Sequence, residues 1–111
     1  MKKVEIKSVK PYVAPKHFNM CALKLHGKDE TGSTKFWMGM SHFLPEGGAE
    51  LDESPTEKVY FVLSGEVTII TAKKEKIVLK ATDSIHIGAG EGRSIINESN
   101  LPATMLVIVN Y

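Results

Sequence analysis

Apolar and polar residues alternate along most of this chain, and that period of two commits it to β-structure. Val4, Ile6 and Ser8 alternate with Glu5, Lys7 and Val9, as expected of a half-buried strand whose successive side chains point to opposite faces. Further extended runs are predicted at Phe18–Leu25, Lys35–Leu44, Val59–Leu63, Glu66–Thr71, Lys76–Lys80, Ser84–Ile87, Arg93–Asn97 and Ala103–Val109. Turn chemistry separates them at Gly27–Gly32, Pro45–Gly48, Ser64-Gly65, Gly88–Gly92 and Asn100–Pro102, where Gly, Pro and Asn supply the required backbone angles. No window carries a 3.6-residue apolar period, so no long helix is expected. Short strands at this spacing predict an all-β sandwich or barrel, and 111 residues make one domain, 1–111.

Composition removes several classes of function. A formal net charge of +1 leaves no excess to attract nucleic acid or an anionic membrane. No apolar run approaches the roughly 20 residues needed to span a bilayer. The single cysteine, Cys21, permits no internal disulfide and fits a reducing compartment. The opening residues Met1–Lys7 have no apolar segment behind their lysines, so the chain is expected to be cytoplasmic.

Val59–Leu63 is apolar at every position, which predicts burial on both faces of that strand. One face meets the barrel interior. The other requires a second subunit, making a homodimer the economical expectation, or cover from the chain's own N-terminal strands.

Two stretches resemble the motifs of the cupins. Pro45–Glu66 is similar to the first motif, a Gly, a short spacer, His-x-His, three or four residues, Glu, six residues and Gly. Anchoring on Gly65 puts Lys58 in the Glu position and Asp52 and Ser54 in the two His positions. Asp83–Asn97 resembles the second motif, Pro-x-Gly-x-x-His-x-x-x-Asn, with Gly90 and Asn97 matching, Gly88 in place of Pro and Arg93 in place of His. A bulge ahead of Gly65 would make Glu57 the matched residue instead; the fit of Tyr60 and Val62 to the inward series favours Lys58. The resemblance implies a single cupin-type β-barrel, the double-stranded β-helix or jelly roll.

In metal-binding cupins, imidazoles and a carboxylate converge on one divalent ion. Of the matched set Asp52, Ser54, Lys58 and Arg93, only Asp52 is a good ligand, and the two cations would be repelled. No metal is expected at the family site, and no cofactor. A displaced set drawn from His42, His86 and Glu50, Asp52 or Glu57 is the alternative. His17 and His26 sit beside loops and read as surface residues. The same replacements suggest a cationic pocket: Arg93 offers a bidentate fork to a carboxylate or phosphate, and Asp52 is a candidate internal partner for Lys58. Trp37 and Met40 read as core or cavity wall, with His86 a further contact. Tyr60 lies two residues after Lys58 on the same face, and His42 is the candidate general acid or base.

The reading that follows is a metal-independent cupin binding a small anionic organic molecule, with proton transfer of isomerase, epimerase or lyase type as its candidate chemistry. Its alternatives are a metal-dependent isomerase or dioxygenase using the displaced ligands, and a non-catalytic sensor or accessory subunit.

Overall fold

Closure of the barrel depends on one long strand that bends. The computed structural model describes residues 1–111. Strand β1 spans His17–His26, and β2 runs Phe36–Asp52 without interruption. Pro45–Gly48, expected as a turn between strands, is therefore a corner within β2. Its first half, Phe36–Phe43, pairs antiparallel with β8 (Ala103–Asn110), and Gly48–Asp52 pairs with β7 (Arg93–Ile96). The corner is bulged: opposite it the β1 register jumps between Phe18↔Gly48 and Met20↔Phe43, and Asn19 and Glu46 take positive φ values of 47° and 67°. A bulge of this kind bends a strand and lets it serve two sheets.

The remaining strands are β3 (Lys58–Ser64), β4 (Glu66–Thr71), β5 (Lys76–Lys80) and β6 (Ser84–Ile87), and the hydrogen-bonded order is β5-β4-β7-β2-β8-β3-β6 with β1 on β2. The expected all-β jelly-roll barrel is what forms, nearly closed, with β5 and β6 as its unjoined edges. The one α-helical turn, α1, is Lys28–Thr31. No helix is long and apolar enough to cross a membrane.

Alternation sets the interior. Phe43, Tyr60, Val62, Ile69, Ile95 and Met105 are each at most 2% exposed and pack as one core. The N-terminal expectation fails: Ile6–Ser8 is a 3-10 turn, and the segment meets β1 only at the bridge Tyr12↔Ala22. Alternation needs a partner edge to become a strand, and Pro11 and Pro15, which lack an N–H, flank the only contact. Both-face burial of β3 is also not met within the chain, since Val59 and Leu63 are 37% and 42% exposed.

Gly48 lies against the Ile95 carbonyl so closely that any Cβ there would collide with backbone. Gly48→Ala is expected to destabilise the fold by about 2–3 kcal/mol, as overpacking against an immobile group does, measured by urea denaturation.

Candidate functional site

The inner pleats of β2, β3, β7 and β8 surround a cavity of about 510 Å³, within the range of small-molecule sites. Its cations come from strand starts. Lys58 opens β3 and Arg93 opens β7, and both are directed inward by the register, at 9% and 8% exposure. Tyr60, two residues beyond Lys58, shares its face. Asp52 closes β2 directly opposite Arg93. Glu57, one residue before Lys58, is exposed, so the matched position is Lys58.

Arg93 Nε donates to the Tyr60 hydroxyl oxygen at 2.8 Å, and its Nη1 donates to the Glu50 carbonyl at 3.4 Å. A guanidinium can only donate. The Tyr60 oxygen is thus the acceptor in that bond, and its own hydrogen remains available to the cavity. Burial pushes the Tyr60 phenol above its ordinary pKa, the Arg93 charge opposing in part, which keeps it a neutral donor. Lys58 Nζ donates to Ser54 Oγ at 3.0 Å. Burial, followed by the Arg93 charge, holds the Lys58 ammonium below the usual lysine range, with Asp52 pulling the other way.

Asp52 was expected as the partner of Lys58, but its carboxylate bonds Lys16 Nζ instead, at 3.0 Å, and that bond holds it below the usual carboxylate range. The five ion pairs of the protein include neither Lys58 nor Arg93. Two buried cations therefore face one cavity with no carboxylate in contact.

Trp37 and Met40 border the cavity, and Lys24 Nζ lies 5.0 Å from the Trp37 ring centre. Neither histidine assigned to the site is in it. His42 is absent from the β2 residues that line the cavity, Trp37, Gly39, Met40, Ser41 and Phe43, and instead its Nδ1 hydrogen-bonds Thr104 Oγ1 at 2.9 Å. His86 is likewise outside; its Nε2 bonds Glu57 at 2.7 Å, and it borders a second depression beside the barrel seam. His17, read as a surface residue, is the imidazole that lines the cavity. Its Nδ1 lies 2.7 Å from the Pro15 carbonyl, which can only accept. The hydrogen of the neutral ring therefore sits on Nδ1, leaving Nε2 with the lone pair. His17 opens β1 directly after a strap, Tyr12 to Lys16, that only the folded topology brings to the cavity, and no local motif marks it.

A divalent ion does not fit the family positions: Lys58 and Arg93 repel it, and the Asp52 carboxylate is engaged by Lys16. The displaced set does not converge either. His42 and His86 lie on β2 and β6, separated in the sheet by β8 and β3, and no group of three or more His, Cys, Asp or Glu residues is placed to hold a metal.

An inward-facing jelly-roll barrel with its site at the starts of β3 and β7 defines a cupin, and the cupin domain model matches residues 39–109; the chain belongs to that family. It is 38% identical over 100 residues to the β-D-galactosidase Rv1717 of Mycobacterium tuberculosis, an alignment covering 90% of this chain and 85% of that protein. Among solved structures, the polyketide cyclase RemF of Streptomyces resistomycificus superposes with a TM-score of 0.89 at 19% identity, over 99% of this chain and 79% of its own. A sugar phosphate isomerase of the cupin superfamily from Silicibacter pomeroyi does so with a TM-score of 0.81 at 19% identity, over 99% and 76%. At such identities the two structures share the fold alone.

Removing one unpaired cation relieves the free protein. Lys58→Met should raise stability by about 1 kcal/mol, the low end because the cavity is open to water. The unfolded chain holds the Lys58 proton more tightly than the folded one, so this gain should be full below the folded-state pKa of Lys58. It should shrink as pH rises toward the ordinary lysine value, as followed by chemical denaturation across pH.

Proposed function

We propose that this cupin binds a small organic anion in its barrel without a metal ion and moves a proton on it. The observation that carries the reading is the pair of buried cations, Arg93 and Lys58, lining one cavity with no carboxylate partner. A bound carboxylate or phosphate supplies the missing charge, and the outer guanidinium nitrogens receive it. Tyr60 is a neutral donor beside Arg93, suited to act as the acid, and His17 Nε2 is the base at the mouth. The apolar wall of Phe43, Ile95, Met105 and Val107 holds the carbon part of the ligand.

Small carboxylates and phosphates should bind as measured by calorimetry. Arg93→Met should weaken that binding about 10–100-fold, the worth of a charge-assisted bond, with the circular dichroism spectrum unchanged. Equal binding by wild type and variant would overturn the reading.

The relation to a protein named β-D-galactosidase favours a sugar as the second reading. Glycoside hydrolysis ordinarily uses two facing carboxylates, and Asp52 is the one acidic residue lining this cavity. Turnover of nitrophenyl β-D-galactoside by the wild type, lost in Asp52→Asn, would put the sugar reading first.

We also infer that the chain forms a homodimer through the outer face of β3 and β8. Val59 lies directly opposite Ile108 and Phe61 opposite Leu106, and Met38 continues the row onto β2. Val59, Leu63 and Ile108 are exposed, and a self-complementary sheet face of this kind suits a two-fold contact. Light scattering should give the mass of two chains for the wild type and of one for Phe61→Glu; a monomeric wild type would overturn the inference.

A further inference from the structure

Lys58 has the surroundings of a nucleophile rather than of a simple charge. The residue is 9% exposed, and its one side-chain hydrogen bond is to a neutral hydroxyl, Ser54 Oγ at 3.0 Å. That hydroxyl is itself held by Thr56 Oγ1 at 2.9 Å, and the Ser54 carbonyl accepts from Gly90 N at 2.7 Å, which ties the loop after β2 to the turn before β7. The amine is thus fixed at the cavity wall by a group that does not neutralise it. A second cation, Arg93, shares the cavity, while the nearby carboxylate Asp52 is occupied by Lys16. An amine in an apolar pocket beside another cation is the arrangement that activates lysine toward carbonyl compounds.

We propose that Lys58 forms an imine with the aldehyde or ketone group of a ligand whose carboxylate or phosphate is held by Arg93. This rests on the anion-binding reading of the same cavity and names its substrate class, an oxo acid or a phosphorylated carbonyl compound. The free amine adds to the carbonyl carbon, forming the C–N bond while the C=O π pair moves to oxygen. Tyr60 lends its hydroxyl proton to that oxygen and takes back one from nitrogen, so the phenol ends as it began. The C–O bond then breaks as its hydroxyl takes one proton from solvent and leaves as water, the nitrogen lone pair forms C=N, and the nitrogen keeps its second hydrogen, so the imine is left protonated. No electron is gained or lost. The protonated imine draws electrons from the adjacent carbon and makes its C–H acidic, which is the role a Lewis acid fills elsewhere, and His17 Nε2 is the base that receives the proton.

The test is reductive trapping with cyanoborohydride near neutral pH, read by intact mass and peptide mapping. The probes are pyruvate (carbonyl and carboxylate), propanal (carbonyl alone) and, for binding without chemistry, lactate. Pyruvate should label Lys58 in preference to the surface lysines. Labelling should vanish in Lys58→Arg and in Lys58→Met, and Arg93→Met should reduce pyruvate labelling by a factor at least about tenfold larger than its effect on labelling by propanal, which loses only the activating charge. Lactate binding with Lys58 unlabelled by either carbonyl probe would overturn the imine and leave the anion site standing. Labelling of Lys58 by propanal with neither pyruvate labelling nor lactate binding would support the imine and overturn the anion site. Labelling confined to surface lysines without lactate binding would overturn both.

Discussion

The corner in β2 hangs on Asn97, and most of the architecture follows from how that side chain is satisfied. Asn97 is fully buried and makes six hydrogen bonds. Its amide nitrogen donates to the carbonyls of Phe43 and Leu101, and its side-chain oxygen accepts from the backbone and hydroxyl of Ser99. Its backbone exchanges bonds with Glu46 and Gly47 across the corner, each at 2.8 Å. A buried amide with every group paired rigidifies its surroundings, whereas a partly paired one would be costly. Because the corner is held, the second half of β2 reaches β7, and Asp52 comes to lie opposite Arg93. The clamp in the second motif thus positions a residue of the first.

The site then depends on where negative charge is withheld. Asp52 is near enough to Arg93 and Lys58 for its field to be felt by both, yet its hydrogen bond goes to Lys16 on the strap. That leaves the guanidinium with the Tyr60 oxygen and a backbone carbonyl, both neutral acceptors. Burying cations without counter-charge opposes folding, and a chain selected only for stability would place an apolar side chain at position 58. Departures of this kind from local consistency concentrate at functional sites.

Much of this was legible in the chain. The limits of β4, β5 and β6 follow from alternation broken by Gly65, Lys73-Lys74 and Ala81–Asp83, and the positions of Lys58 and Arg93 follow from the two motifs matched through Gly65, Gly90 and Asn97, with Tyr60 two residues after Lys58 on the same face. His42 was not legible for the reciprocal reason. Met38–Leu44 is apolar on both faces, so nothing local says that Ser41 and Phe43 rather than His42 face inward; pairing with β8 decides it. Val4–Val9 has the right alternation and no edge to join. Pro45–Gly48 has turn composition, but whether such a segment ends a strand or bends it depends on Asn97, some fifty residues further along. His17 entered the cavity lining through tertiary topology alone.

The arrangement of the wall also limits what chemistry the barrel can host. The Tyr60 oxygen accepts from Arg93, which leaves its O–H free to donate to a ligand, and Lys58 and Arg93 meet a ligand through donors alone. Besides the hydroxyls of Tyr12, Ser41, Ser54, Thr56 and Tyr111, the acceptors among the lining side chains are His17 Nε2, the Asn110 side-chain oxygen and the outer Asp52 oxygen, and the Asn110 oxygen already receives Glu57 N at 2.8 Å. On the proposed reading, Arg93, Lys58 and Tyr60 would stabilise developing negative charge on a ligand oxygen while His17 takes a proton, and electrostatic preorganisation of that sense would favour an enolate-like state over the neutral carbonyl form.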